Sequence, residues 1–220
     1  MVLKAKKYFG QHFLINEAIA NDIAESLDFN ICKNIIEIGP GKGVLTKYLI
    51  QKNANIKLIE IDIDCVNIIK DKFKHTEVIH NDFLQIKLSD LSFKKYSIIG
   101  NFPYNISSQI LFKVLENRNS IVELVGMFQK EVADRICSKP KSKKYGILSV
   151  LIQAYFNCEN LFNVDPDNFD PIPKVNSSVI KLSRNQIKEL GCDHNHFIKV
   201  VKGAFSQRRK KLKNALKNFT

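Results

Sequence analysis

The chain has no tryptophan, and no apolar run approaches the roughly 18 residues a helix needs to cross a bilayer, so no transmembrane span is expected. Its first ten residues carry Lys4, Lys6 and Lys7 with no apolar stretch behind them, which argues against a secretory signal. The five cysteines, Cys32, Cys65, Cys137, Cys158 and Cys192, are odd in number, scattered and without a Cys-x-x-Cys pair. That excludes a disulfide framework and fits free thiols in a reducing cytoplasm. Cys192, His194 and His196 lack the separated ligand pairs of a zinc site, and helical spacing would spread them over different faces, so no metal is expected. A Gly-Lys-Ser/Thr phosphate loop is also missing. Acid is scarce too: 22 Asp and Glu face 34 Lys and Arg, a net charge of +12. Such a balance points to a polyanionic partner, nucleic acid before an anionic membrane surface, unless it is only a lysine-rich surface.

What is present is ordinary globular composition, 45% hydrophobic and 25% charged over 220 residues, enough for one to two domains. Periodicity predicts a helix over Glu17–Leu27 capped by Asn16, then strands at Asn34–Ile38, Ile56–Ile61, Glu77–His80, Tyr96–Gly100 and Ile121–Phe128. Between them, helices are predicted at Val44–Gln51, Cys65–Phe73, Ser107–Glu116 and Gln129–Cys137. This alternation implies an α/β fold with an open, doubly wound, mostly parallel sheet. After an exposed loop at Ser138–Lys144, Leu148–Phe156 reads as helix, and Leu161–Val164 and Ser177–Leu182 as a late strand pair. From about Arg184 the pattern becomes helical, Phe197–Phe205 and then the basic stretch Ser206–Phe219. The expected division is therefore a domain over 1–183 and a short basic helical segment over 184–220.

Glu37-Ile38-Gly39-Pro40-Gly41-Lys42-Gly43 joins the first of these strands to its helix. Gly39 and Gly41 there allow backbone to approach a ligand beyond the carboxyl ends of the strands. Alone, this pattern is weak evidence, because a tight strand–helix turn is its plain alternative. Glu60, ending the second strand, could accept hydrogen bonds from a ribose diol, with Asp62 and Asp64 as competing acids. Asp82, with Phe83 beside it, could meet an adenine edge. The third glycine comes one residue too early for a dinucleotide fingerprint. An adenosine-bearing ligand without polyphosphate, S-adenosylmethionine, fits better.

Asn101-Phe102-Pro103-Tyr104 follows the fourth strand. An exocyclic amine on a nucleobase is a poor nucleophile because its lone pair is delocalised into the ring. The Asn101 side chain and a backbone carbonyl near Pro103 could hold its two N–H groups and aim the lone pair at a sulfonium methyl. Tyr104 could stack on a base taken out of its helix.

Taken together, the donor turn and this loop resemble the rRNA adenine dimethylase family of adenine-N6 methyltransferases. Lys6-Lys7-Tyr8-Phe9-Gly10-Gln11-His12-Phe13-Leu14 is similar to the family's N-terminal signature, and Asn101 to Ser108 to its catalytic motif, with Phe102 in place of a more usual Leu or Ile. Phe169-Asp170-Pro171-Ile172-Pro173-Lys174-Val175 resembles its target-base loop. The resemblance implies a Rossmann-like, S-adenosylmethionine-dependent fold without metal. It implies that Gln11, His12 and Leu14 border the donor, that Asn101 forms its floor, and that Phe169 is a second stacking face opposite Tyr104. For Tyr104 and Phe169 the plain alternative is core packing.

Gln129–Arg135, Tyr145–Val150 and Arg208–Leu216 resemble the KsgA-type, small-subunit arm of the family. That arm implies dimethylation of N6 on two adjacent adenosines in a hairpin near the 3′ end of small-subunit (16S) rRNA, during ribosome biogenesis in the cytoplasm. The alternatives are an Erm-type large-subunit rRNA methyltransferase, a DNA adenine methyltransferase, and a non-catalytic small-subunit assembly factor. Relatives usually continue for several dozen residues beyond the position of Thr220, so a shortened helical part is expected. Lys139, Lys141, Lys143 and Lys144, with Arg208, Arg209, Lys210 and Lys211, are the expected RNA-backbone contacts, the latter four around a helix. The expected partner is the immature 30S subunit or its rRNA, and the expected state a monomer.

Overall fold

The computed structural model of the protein describes residues 4–207 and 209–219. Seven strands form one sheet in the order β4 (Glu77–His80), β3 (Asn55–Glu60), β2 (Asn34–Ile38), β5 (Tyr96–Asn101), β6 (Ile121–Gln129), β9 (Ser177–Arg184) and β7 (Phe156–Val164). The parallel part consists of β2, β3, β4, β5 and β6. β9 and β7 extend it antiparallel beyond β6. β2, β5 and β6 are almost wholly buried because both sheet faces are covered, so their apolar residues feed two cores alternately. Ile36, Ile98, Leu124 and Phe128 join the core shared with α4 (Ser107–Glu116), α5 (Lys130–Ile136), α6 (Ile147–Gln153) and α7 (His194–Ser206). Ile35, Ile99, Val125 and Met127 join the core under α1 (Glu17–Glu25) and α2 (Thr46–Leu49).

From β2 the chain winds outward through β3 and β4, then returns to place β5 on the other side of β2. In a doubly wound sheet that reversal leaves a crevice at the carboxyl ends of the two strands flanking it. The Gly39 turn after β2 and the Asn101 loop after β5 therefore become neighbours. A second, two-stranded ribbon pairs β1 (Phe13–Leu14) antiparallel with β8 (Phe169–Asp170), bringing the N-terminal segment to the same rim.

Two expectations are corrected. The helix expected over Leu148–Phe156 ends at Gln153, and Phe156 instead opens β7, paired with Arg184. Ladder pairing with β9 overrides the local apolar pattern. The basic stretch is not one helix either: α7 stops at Ser206, Lys211 is extended (φ −58°, ψ 138°), and α8 covers only Leu212–Ala215. Arg209, Lys210 and Lys211 thus lie in the turn between α7 and α8, where unbalanced positive charges are not stacked on successive helical turns. The chain then doubles back so that the Phe219 ring covers Gly203, where a Cβ would come within 2.5 Å of it. Arg208 lies outside the described residues. The end of the chain is nonetheless tied to the main core through Val201, which is 7% exposed.

Candidate active site

Gly39 (φ 65°) and Gly41 (φ 55°) adopt left-handed backbone that other residues resist. A Cβ on Gly39 would meet nothing within 4 Å, so this peptide opens onto the crevice, a cavity of about 260 Å³. Glu60, at the end of β3, is 4% exposed. Its Oε2 accepts the Gly41 N–H (3.0 Å) and its Oε1 the Asp62 N–H (2.9 Å). These bonds fix the carboxylate against the glycine turn, while burial pushes its pKa up. A carboxylate has lone pairs beyond those two bonds to offer a ligand in the cavity it lines.

The competing acids have other partners. Asp62 caps α3 (Ile63–Lys72) by accepting the Asp64 N–H, and it also accepts Lys6 Nζ (2.5 Å) and Gln11 Nε2 (2.8 Å). Burial raises its pKa, but the bonds from Lys6 and Gln11 outweigh that and hold it below the usual carboxylate range. Asp64 pairs with the same Lys6 ammonium at 2.7 Å. Gln11 therefore works as a tether between the N-terminal segment and α3, its Oε1 also accepting the Lys6 N–H at 2.7 Å.

Glu37 had no role in the sequence reading beyond its place in the glycine motif. It is 1% exposed on β2, where the Thr46 hydroxyl donates to it at 2.7 Å. Burial pushes its pKa up to about 8 from an ordinary 4.5. Through that interval the folded chain holds a proton that the unfolded chain has released. The contribution of Glu37 to stability therefore declines as pH rises from about 4.5 to 8. Glu37→Gln removes this slope, so the melting-temperature gain of the variant over the parent should widen between pH 5 and pH 8. A constant offset across that range contradicts the assignment.

On the far wall Asp82 turns one carboxylate oxygen to the Leu84 N–H (2.8 Å). Phe83 is 4% exposed and packs into the α4-side core, so it forms wall and offers no open ring face. Lys113 holds this loop, and sequence reasoning missed it. Reaching from α4, its ammonium donates to the carbonyls of Leu84 (2.9 Å) and Ile86 (2.5 Å) and lies 5.2 Å from the Phe83 ring centre. Burial lowers its pKa. The available signal was a lone lysine inside the apolar run Ile110–Leu115.

At the rim, Asn101 ends β5 and its Nδ2 donates to the His12 carbonyl at 2.8 Å. A carbonyl can only accept, so this contact sets the amide orientation and leaves Oδ1 as the acceptor of a residue that lines the cavity. The Pro103 carbonyl receives the Ile106 N–H and the Ser107 hydroxyl, both at 3.2 Å. Tyr104 bonds Ser177 Oγ through its hydroxyl (2.6 Å), and its ring stacks on His12 with centroids 5.5 Å apart and planes 23° apart. Burial raises the Tyr104 pKa.

Phe169 is not the second stacking face. It pairs with Leu14 across the β1–β8 ribbon, is 1% exposed, and sits in the α1-side core. Strand alternation turns its ring inward and leaves Asp170 outward, so the plain alternative of core packing holds for this residue. Leu14, 4% exposed, both lines the cavity and joins that core.

Lys139, Lys141, Lys143 and Lys144 occupy the exposed loop before α6, and Tyr145 meets Phe205 of α7 with ring centres 6.2 Å apart. That contact draws the lysine loop toward the end of α7, which leads into the exposed Arg209, Lys210 and Lys211. Lys144 is paired with Asp134 at 2.7 Å. At the start of α7, His194 Nδ1 lies 2.9 Å from the Tyr155 hydroxyl, and Asp193 caps the helix. Among the described residues no group of three His, Cys, Asp or Glu is placed to hold a metal ion.

Comparison with known proteins fits this geometry. The chain is 51% identical to ribosomal RNA small subunit methyltransferase A of Cytophaga hutchinsonii, over 99% of this chain and 86% of that protein. It is 50% identical to the protein of the same name from Flavobacterium johnsoniae, over 99% and 84%. Among solved structures it resembles a dimethyladenosine transferase from Plasmodium falciparum (TM-score 0.83, 27% identity, 94% of this chain and 75% of that one). It also resembles the 23S rRNA methyltransferase ErmE (TM-score 0.76, 25% identity, 94% and 84%). With residues 2–220 matching the family model described as ribosomal RNA adenine dimethylase, the chain belongs to that family.

Proposed function

We propose that this protein transfers methyl groups from S-adenosylmethionine to N6 of two adjacent adenosines near the 3′ end of small-subunit rRNA, acting as a cytoplasmic monomer on the immature 30S subunit. Among the described residues no helix is long and apolar enough to cross a membrane. The observation that carries the reading is the Asn101 amide at the cavity wall, fixed by the His12 carbonyl so that its oxygen remains the acceptor. The cavity's chemistry suits the donor: an open peptide at Gly39, a carboxylate at Glu60 for a ribose diol, and Asp82 for an adenine edge. When bound, the donor supplies a methyl group on positively charged sulfur.

Asn101 Oδ1 accepts one N–H of the target amine. With Pro103's carbonyl engaged by Ile106 and Ser107, the Phe102 carbonyl serves as the second acceptor in the loop. Both bonds draw the nitrogen toward a pyramidal geometry and turn its lone pair to the methyl carbon. Asn101 and the loop carbonyl would thus hold the amine toward the methyl group that the donor would supply, and the extra proton of the methylated amine would pass to solvent. Tyr104 stacks on the extruded adenine. Arg209, Lys210 and Lys211 of the 184–220 segment, with Lys139 and Lys141, meet RNA phosphates. Incubating unmethylated small subunits together with large subunits and labelled donor, followed by nucleotide mapping, should place dimethyladenosine at two adjacent positions of the small-subunit rRNA. Label in large-subunit rRNA instead would refute this reading.

Lys113→Met tests the donor wall. Losing two charge-assisted bonds that hold the Asp82 loop should raise the Kd for S-adenosylhomocysteine about tenfold in calorimetry. Unchanged affinity would remove Lys113 from the site.

A further inference from the structure

We infer that His12 is a positioning residue for the target adenine, beyond bordering the methyl donor; the inference rests on the adenine-methylating reading above. Three contacts converge on this one residue. Its Nδ1 lies 2.7 Å from the Pro171 carbonyl, its ring stacks on Tyr104, and its own carbonyl accepts the Asn101 amide. Because the Pro171 carbonyl only accepts, Nδ1 carries the proton and the ring's tautomer and plane are both set. The imidazole covers one face of Tyr104 while Ser177 holds the phenol hydroxyl, so Tyr104 offers its other face to a base. The same anchor keeps the His12 backbone where its carbonyl selects the acceptor orientation of Asn101. His12 thus links the acceptor that aims the amine to the ring that holds the base, and ties both to the loop after β8.

Three variants separate the parts. His12→Asn keeps a donor for Pro171 without the ring, His12→Phe keeps a ring without the donor, and His12→Ala removes both. With unmethylated small subunits, His12→Ala should lose about thirtyfold or more in kcat through misplacement of the reacting groups. Because His12 also borders the donor, the variant's S-adenosylhomocysteine affinity should fall by less than about tenfold, short of the loss in kcat. Monomethyladenosine should accumulate over dimethyladenosine, because a loosened base is presented poorly for the second transfer; a mere loss of folded enzyme lowers both products alike. The Asn and Phe variants should each recover part of the loss. The inference is overturned if His12→Ala weakens donor binding tenfold with kcat intact, or if all three variants lower both products in parent proportion. A parent enzyme inactive on small subunits would instead overturn the proposed function.

Discussion

Asn101→Ala should slow methyl transfer by about two to three orders of magnitude, the scale of losing one preorganised hydrogen-bonding group aimed at the reacting atom. The side chain emerges from the end of a buried central strand and meets His12, so its removal leaves a small gap at the rim and none in either core. The variant should therefore melt within a few degrees of the parent and retain S-adenosylhomocysteine binding within about tenfold. Asn101→Asp should not rescue activity, because a carboxylate against the His12 carbonyl opposes two acceptors across the present 2.8 Å contact. Single-turnover assays on unmethylated small subunits, with calorimetry on the same preparations, check both statements. Turnover near the parent rate in either variant would show that the amine is oriented by something else.

The second large effect concerns stability. Gly100 and Gly126 sit opposite each other on β5 and β6, and the Phe102 ring occupies the space above both. A Cβ on Gly126 would lie 2.1 Å from Phe102 Cε2, and one on Gly100 would lie 2.6 Å from the Ile38 carbonyl and 2.7 Å from Phe102 Cε1. Phe102 is 1% exposed and packs edge-on to Phe128 with centroids 5.0 Å apart, so it has nowhere to retreat. Gly126→Ala should destabilise the fold by about 3 kcal/mol, at the upper end of overpacking costs. Because Phe102 lies between Asn101 and Pro103, any displacement that relieves the clash also moves the Asn101 loop, and activity should fall in the folded fraction too. Phe102→Leu placed on Gly126→Ala should restore much of both losses. Additive destabilisation in urea titrations of the two singles and the double would contradict this coupling.

The Phe102–glycine arrangement also shows where sequence reasoning stops. Phe102 reads locally as an apolar substitution in a loop; that two glycines from separate strands shape its seat depends on β5 and β6 being neighbours in register. Elements whose pattern agreed with their pairing were legible. β2, β4 and α4 match the expected limits because apolar runs and turn residues bracket them, and Asn16 caps α1 through the Ala18 and Ile19 N–H groups. The glycine turn, Glu60, Asp82 and Asn101 were legible as a set because the strand–helix alternation alone brings the carboxyl ends of β2, β3, β4 and β5 to one rim. Phe169 misled because its motif lies in a ribbon with the N-terminal segment, and only that pairing decides which way the ring points. β7 and the end of α7 misled for a related reason: partners far along the chain, β9 and Phe219, determine them. Lys113 and the bonds of His12 to Pro171 and Asn101 escaped because they run through carbonyls, which no side-chain pattern records.

The pairing of Phe13 with Asp170 has a consequence for synthesis on the ribosome. A nascent polypeptide acquires the glycine turn and the Asn101 strand long before residue 170 leaves the exit tunnel, but its leading end finds no partner strand until then. Long-range closure of this kind delays completion of the rim relative to the parallel strands β2 to β6 beneath it. Translation intermediates that stop short of Asp170 lack β9 as well as this partner strand, so they should carry neither a complete sheet nor a closed lip at the rim.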